Sequence, residues 1–177
     1  MIHNYEFKAR TDRLDELEAK LKTLNPRFVG EDHQIDTYFN VPEGRLKLRQ
    51  GNIENSLIRY HRENSADSKL SKVLLYQHAP APELKTILES SLGIDVVVDK
   101  VRKIYFIDHV KFHFDSIQEL GTFVEVEVID STGQADIETL KTECQKYAQF
   151  FEIEPKDFVS HSYSDLTREL IHQNSPV

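Results

Sequence analysis

The 177-residue chain has one cysteine, Cys144. That excludes an internal disulfide framework and any zinc site built on cysteines. Cys144 shares an apolar spacing with Ile137, Leu140, Tyr147 and Phe151, which reads as a small buried side chain rather than a reactive thiol. No run of about 18 apolar residues occurs, so no membrane span is expected. The opening MIHNYEFKAR is charged at once and has no apolar stretch. No signal peptide is therefore expected, and the cytoplasm is the expected location. Glycine-dependent phosphate loops are missing too: neither G-x-x-x-x-G-K-[ST] nor G-x-G-x-x-G occurs. G-x-S-x-G and H-E-x-x-H are also absent. A nucleotide or polyphosphate would have to be held by side chains on strands. The chain lacks a basic excess, with 22 Lys and Arg against 30 Asp and Glu and a net charge of −8. That argues against a general nucleic-acid binder.

What the sequence does contain is charge at every second residue of strand-like segments. Asn4-x-Glu6-x-Lys8-x-Arg10 comes first. Arg45-x-Lys47-x-Arg49, Lys100-x-Arg102, Lys111-x-His113-x-Asp115 and Glu125-x-Glu127 follow. Apolar residues lie between them: Tyr5 and Phe7, Leu46 and Leu48, Phe112 and Phe114, Val124 and Val126. Successive strand side chains point to opposite faces, so each segment has one charged and one apolar face. In a two-layer sheet the charges would face bulk water. In a closed barrel covered by helices they would turn inward and gather many cations and a few carboxylates in one lumen.

The order of elements supports the barrel. Strands are predicted at 3–10, 33–40, 44–50, 56–62, 72–78, 95–109, 110–116 and 122–129. Helices are predicted at 12–24, capped by Thr11 or Asp12, at 82–92 between Pro82 and Gly93, at 134–151 and at 160–171. Eight strands can close a barrel, and strands interrupted by helices give an α+β fold: an eight-stranded antiparallel closed β-barrel with helices packed outside. Residues 1–171 form one domain, and 172–177 are expected to fray. The apolar stripe of 134–151 suits core or dimer contact, so monomer and homodimer both remain open. Charge is uneven along the chain. Residues 42–72 carry a net +3 and residues 115–157 a net −8, so closure sets cations against carboxylates.

The inward groups suggest chemistry. Glu125 and Glu127 point the same way from one strand and, with Glu6 across a barrel, would suit a hard divalent cation such as Mg²⁺ or Mn²⁺. Lys8, Lys47, Arg49, Lys100 and Arg102 would add the point charges and planar forks that match phosphate oxygens. Such cations need a bound anion or counter-carboxylates. Asp115 could ligate a metal or orient a basic residue, and His113 could share the lumen.

These residues resemble the CYTH domain of the triphosphate tunnel enzymes over roughly residues 3–170. The matching segments are Glu6-Phe7-Lys8, Arg45-Leu46-Lys47-Leu48-Arg49, Lys100-Val101-Arg102, and Asp115 followed by Leu120-Gly121-Thr122-Phe123-Val124-Glu125-Val126-Glu127. Ser162-Tyr163-Ser164-Asp165-Leu166 matches the family's closing pattern. Asp36-Thr37-Tyr38-Phe39 and LIRYHR look most like the class IV adenylyl cyclase branch. The family's first strand reads E-x-E-x-K, and Asn4 replaces its first Glu. The resemblance implies metal on Glu6, Glu125 and Glu127. It implies a triphosphate on Lys8, Lys47, Arg49, Arg62, Lys72, Lys100 and Arg102, with Arg62 preferred to Arg59 on that strand. Lys8, Asp115 and Arg102 would serve catalysis. The implied partner is a triphosphate-containing small molecule, either ATP, thiamine triphosphate or tripolyphosphate. The implied activity is cyclase-like or hydrolytic. Two other readings compete: a module that binds polyphosphate without turnover, and a barrel for an apolar ligand with its charges outside.

Overall fold

Eight strands and four α-helices make up a computed structural model that describes residues 2–62 and 69–174, apart from the side chains of Ile2, Arg62 and Lys69. The order is β1 (Ile2–Arg10), α1 (Leu14–Lys22), β2 (Arg27–Phe39), β3 (Arg45–Gly51), β4 (Asn55–Arg62), β5 (Lys69–Gln77), α2 (Pro82–Leu92), β6 (Ile94–Ile107), β7 (Val110–Ile117), β8 (Gly121–Asp130), α3 (Ile137–Phe150) and α4 (Tyr163–Asn174). A single 3₁₀ turn, Pro155–Asp157, precedes α4.

The strands close a barrel in the order β1-β5-β4-β3-β2-β6-β7-β8. Each neighbouring pair is antiparallel. β1 is the closing stave. It pairs with β5 through Ile2–Glu6 and with β8 through His3–Arg10.

Period-2 alternation sorts the side chains as expected. Tyr5, Phe7 and Ala9 of β1, Phe112 and Phe114 of β7, and Val124, Val126 and Val128 of β8 point outward and are buried. They are covered by Leu17 and Leu21 of α1, by Leu140, Cys144 and Tyr147 of α3, and by Phe151. The main core therefore lies between barrel and helices, and the alternate polar residues are turned into the lumen. Each fully buried aliphatic side chain there contributes about 1.5–3 kcal/mol.

α4 closes one mouth of the barrel. Tyr163, Leu166 and Leu170 pack with Tyr38, Val96, Val98 and Phe123. These strand residues share a face with Asp36, Lys100 and Glu125, so the cluster fills the inside of one end. Ser162 and Asp165 form a capping box: the Ser162 N–H donates to Asp165 Oδ2 at 3.0 Å, and the Asp165 N–H donates to Ser162 Oγ at 3.2 Å. Arg45 of β3 ties this cap to the barrel, donating to Asp165 Oδ2 at 2.7 Å.

Some element boundaries differ from the sequence expectation. β2 begins at Arg27 rather than 33, because a register shift between Phe28 and Gly30 lets it continue along β6. Arg13 stands at the N-cap of α1, while the hydroxyl of Thr11 accepts the Arg13 N–H at 3.0 Å. α2 forms as expected and ends at Gly93 (φ 72°), but its leucine stripe is not taken into the core: none of its residues is buried. α4 runs from Tyr163 through Asn174, three residues past its expected end at 171. The loop expected around Asn64-Ser65 lies outside the described residues. No helix among the described residues is long and apolar enough to cross a membrane.

Candidate active site

A cavity of about 520 Å³ runs into the lumen and is lined by side chains of β1, β2, β3, β4, β5, β6, β7, β8 and α4. Its charges fall on one contiguous part of the wall. Lys8 comes from β1, Lys47 and Arg49 from β3, Lys100 and Arg102 from β6, Lys111 from β7, and Glu125 and Glu127 from β8. Buried cations need partners, and each has one inside the barrel.

Asp36 of β2 is the hub on one side. It is 1% exposed. Its Oδ2 accepts from Lys100 Nζ at 2.7 Å, Arg49 Nη2 at 2.9 Å and Lys47 Nζ at 3.0 Å, and its Oδ1 accepts from Arg49 Nε at 2.9 Å. Burial alone would raise the Asp36 carboxyl. Arg49, Lys100 and Lys47 outweigh it and hold the group well below the usual carboxylate range. Burial drives the Lys100 ammonium down to about 7; Asp36 opposes this, and Arg49, Arg102 and Lys47 add to it.

Glu54 is a second internal anion. It lies in the turn between β3 and β4, receives Arg49 Nη1 at 3.0 Å and also pairs with Lys111. The turn is anchored by buried Asp32, which accepts the N–H groups of Ile53 and Glu54 at 2.9 and 3.0 Å. Gly51 permits this approach: a Cβ there would meet the Asp32 carboxylate at 2.7 Å. Burial opposes ionisation of Glu54, but Lys111 and Arg49 keep it ionised.

On the other side, Arg102 donates from Nε to Asp115 Oδ1 at 2.6 Å and from Nη2 to Glu125 Oε2 at 2.8 Å. Lys8 pairs with Glu125 Oε1 at 3.0 Å and lies 3.9 Å from the centre of the Tyr163 ring. The Tyr163 hydroxyl donates to Asp115 Oδ2 at 2.7 Å. Burial would raise Glu125, but Lys8, His113 and Arg102 hold it well below the ordinary range. Glu127 differs. Burial, then Glu125, then Glu6 push it up to about 7, with Lys111 opposing. Glu6 stands directly opposite Glu127 in the β1–β8 register.

This acidic corner fits a divalent cation. Three carboxylates crowd one stretch of lumen, and one of them is held up by the charge of the others. Asn4, on the same face of β1, has a buried Oδ1 with no hydrogen-bond partner. Oxygen donors of this kind suit a hard ion that keeps several waters.

The site residues expected from the sequence divide clearly. Glu6, Lys8, Lys47, Arg49, Lys100, Arg102, Glu125 and Glu127 all line the cavity. Asp115 does not; it is completely buried behind Arg102, with Arg102 and Tyr163 bonded to its oxygens. Lys72 is a correction. It is exposed on the outer surface, because β5 turns Ser71, Val73 and Leu75 to the cavity. Arg59 is exposed, with Ser56, Ile58 and Tyr60 as the inward residues of β4. The side chain of Arg62, preferred at that strand, lies outside the described residues. Among the described residues β4 and β5 thus supply a wall without charge. A reading that placed the charges outside and an apolar ligand within does not fit.

Sequence reasoning missed three participants as site residues. Asp36 sat in the quoted Asp-Thr-Tyr-Phe segment, and its alternation with Tyr38 was the available signal. Lys111 stood in the alternating pattern. Glu54 lies in a turn, where no periodicity marks an inward side chain.

A closed antiparallel barrel with basic groups and clustered carboxylates along its lumen is the triphosphate tunnel architecture. The CYTH domain model matches residues 3–163, and the chain belongs to that family. The family is divalent-metal dependent and binds triphosphate substrates. No curated protein sequence matches the chain. Among solved structures, the conserved hypothetical protein Pfu-838710-001 from Pyrococcus furiosus is 21% identical, with a TM-score of 0.79 over 92% of this chain and 99% of that one. A Vibrio parahaemolyticus protein named provisionally as an adenylate cyclase is 18% identical, with a TM-score of 0.74 over 93% of this chain and 97% of that one. A Hippeastrum protein, also named provisionally as an adenylyl cyclase and described as having a dominant triphosphatase activity, is 12% identical, with a TM-score of 0.61 over 100% and 98%. At these identities the likeness is one of fold.

Proposed function

We propose that this protein is a divalent-metal-dependent enzyme acting on a triphosphate held in the tunnel. The observation that carries this reading is the convergence of six cations from four strands with Glu6, Glu125 and Glu127 in one cavity. Lys47, Arg49 and Lys100 bind one end of the phosphate chain from the Asp36 side. Lys8 and Arg102 face the other end beside Glu125. Glu6, Glu125 and Glu127 hold the ion, Mg²⁺ or Mn²⁺, which when bound supplies Lewis-acid stabilisation of phosphoryl charge.

The reaction is an in-line displacement at phosphorus, and catalysis is largely positioning and charge stabilisation. Arg102 offers its remaining Nη1 N–H groups to non-bridging oxygens, because Asp115, itself held by the Tyr163 hydroxyl, takes Nε and Nη2 and fixes the guanidinium plane. Lys8, held between Glu125 and the Tyr163 ring, faces charge that builds on the leaving oxygen.

The finer reading is cyclase-like. The ribose 3′-oxygen of ATP forms a bond to the α-phosphorus, the bond from that phosphorus to the bridging β-phosphate oxygen breaks, and pyrophosphate leaves with the proton the hydroxyl gives up. The described part of the β4–β5 wall, with Ile58 and Val73, carries no charge; it gives the organic part of such a substrate somewhere to lie and favours ATP over bare tripolyphosphate. Hydrolysis is the second reading: water attacks the terminal phosphorus and orthophosphate is released. The activity given for the Hippeastrum structure favours keeping it in view. The test is incubation of the purified chain with ATP and, separately, with thiamine triphosphate and tripolyphosphate, each with Mg²⁺ or Mn²⁺, and chromatography of the products. Cyclic AMP with pyrophosphate supports the cyclase, and orthophosphate supports the hydrolase. Metal-independent binding of tripolyphosphate without any product would replace both with a polyphosphate-binding module.

A further inference from the structure

His113 lies directly opposite Glu125 across the β7–β8 ladder. Its ring is completely buried. Nδ1 is 3.3 Å from Glu125 Oε2 and 3.7 Å from Glu127 Oε1. One ligand atom from each of the three residues lies within 4.8 Å of the other two. Nε2 has no hydrogen-bond partner.

Neither tautomer of the neutral ring is complete as it stands. With the proton on Nε2, the Nδ1 lone pair faces two carboxylate oxygens, which repel it unless a cation lies between them. With the proton on Nδ1, the bond to Glu125 is long for an N–H···O bond, and a bare nitrogen lone pair is left buried at Nε2. Cis donors bound at about 2.1 Å to one ion stand about 3 Å from each other. The two separations from His113 Nδ1 are close to that, and all three donors lie within 4.8 Å of one another, so side-chain rotations would seat the ion. The buried, unpartnered Oδ1 of Asn4 lines the same lumen.

Resting on the reading of the tunnel as metal-dependent, we propose that Nδ1 of His113 is a ligand to the divalent ion together with Glu125 and Glu127. The centre is then a mixed nitrogen–oxygen site. Imidazole suits transition metals, whereas Mg²⁺ takes oxygen donors and gives up its waters reluctantly. The site therefore selects Mn²⁺ or Co²⁺ over Mg²⁺ beyond what three carboxylates would do.

The test is pulsed electron paramagnetic resonance of the full chain loaded with Mn²⁺ and no substrate. It is run on unlabelled protein and on protein grown with ¹⁵N-histidine, with Mg²⁺ competition followed on the same signal. The expected result is an imidazole ¹⁴N modulation that becomes a ¹⁵N modulation on labelling. It should vanish in His113→Gln while Mn²⁺ stays bound, and the preference for Mn²⁺ over Mg²⁺ should fall about tenfold or more. The labelling arm needs no substitution, so it decides even if His113→Gln misfolds. Bound Mn²⁺ with no histidine nitrogen coupling, or with coupling that survives His113→Gln, overturns the proposal and reduces His113 to a residue that orients Glu125; the metal-dependent reading then stands. No Mn²⁺ binding by the wild-type chain overturns both.

Discussion

Asp36→Asn tests whether the lumen is held together by internal neutralisation. The substitution keeps the shape of the side chain and removes one negative charge at a position only 1% exposed. Lys47 and Arg49 would remain charged around a neutral amide, and Lys100, already lowered to about 7 with Asp36 opposing the fall, would go lower still. Removing one partner of a buried ion pair costs about 3–5 kcal/mol, because the other charge stays behind unpaired. For a chain of this size each kcal/mol moves Tm by about 2–4 °C, so Tm should fall by roughly 6–20 °C. The same stranded cations should form a better anion site. A ligand at 100 times its Kd stabilises by about 2.7 kcal/mol, so tripolyphosphate should recover much of the loss and raise Tm more in the variant than in the wild type. The assay is thermal unfolding followed by circular dichroism over a tripolyphosphate titration, with sulfate at equal ionic strength as the control for screening. A variant as stable as the wild type would refute the reasoning. So would equal gains from tripolyphosphate in the two proteins, since the cations would then not be competing between Asp36 and ligand.

Two other predictions concern Glu54 inside the lumen and Glu18 outside it. Glu54→Gln should release Arg49 and Lys111 from an in-chain anion and tighten tripolyphosphate binding by about tenfold, which is about 1.4 kcal/mol; unchanged affinity by titration calorimetry would mean that Glu54 and ligand do not share those cations. Outside the lumen, Glu18 of α1 accepts from Lys103 at 2.7 Å and from the Tyr105 hydroxyl at 2.5 Å. Burial raises its carboxyl, but Lys103, Tyr105 and Lys22 outweigh it and bring it from 4.5 down to about 2. A depressed carboxylate adds stability that is fully present above its unfolded pKa and disappears as pH falls through its folded one. Urea unfolding of the wild type should therefore show stability lost between about pH 4.5 and pH 2, and Glu18→Gln should be less stable at pH 7 with a flatter slope across that window; identical slopes would exclude Glu18 as a source of acid sensitivity.

The part of the site that alternation encodes was readable from the sequence. Lys47 and Arg49 are inward because Leu46 and Leu48 between them take the opposite face, and the same logic places Glu125 and Glu127 beside Val124 and Val126. Where alternation gives no phase, the reading failed. β5 (Lys69–Gln77) has Val73, Leu74, Leu75 and Tyr76 in succession, so nothing in the pattern says which parity is inward, and Lys72 went to the wrong face. The leucines of α2 have helical spacing, yet spacing cannot show that no sheet face waits to cover them. Glu54 enters the lumen because Asp32 pulls a turn over, a contact between β2 and the β3–β4 turn that local pattern cannot encode.

Closure through β1 has a consequence for how the chain is made. β1, made before the other seven staves of this barrel, pairs with β5 (Lys69–Gln77) and with β8 (Gly121–Asp130), so its second partner is completed more than a hundred residues later. Contacts that distant make loop closure a slow, late step. Until β8 arrives, the emerging barrel is an open sheet with two unpaired margins and an uncovered apolar outside, the form in which edges recruit other chains. The finished ring has no such margin. A nascent chain stalled before residue 121 should therefore be the species that most needs a chaperone, although the closed barrel leaves none of its described strands open for a neighbour to join.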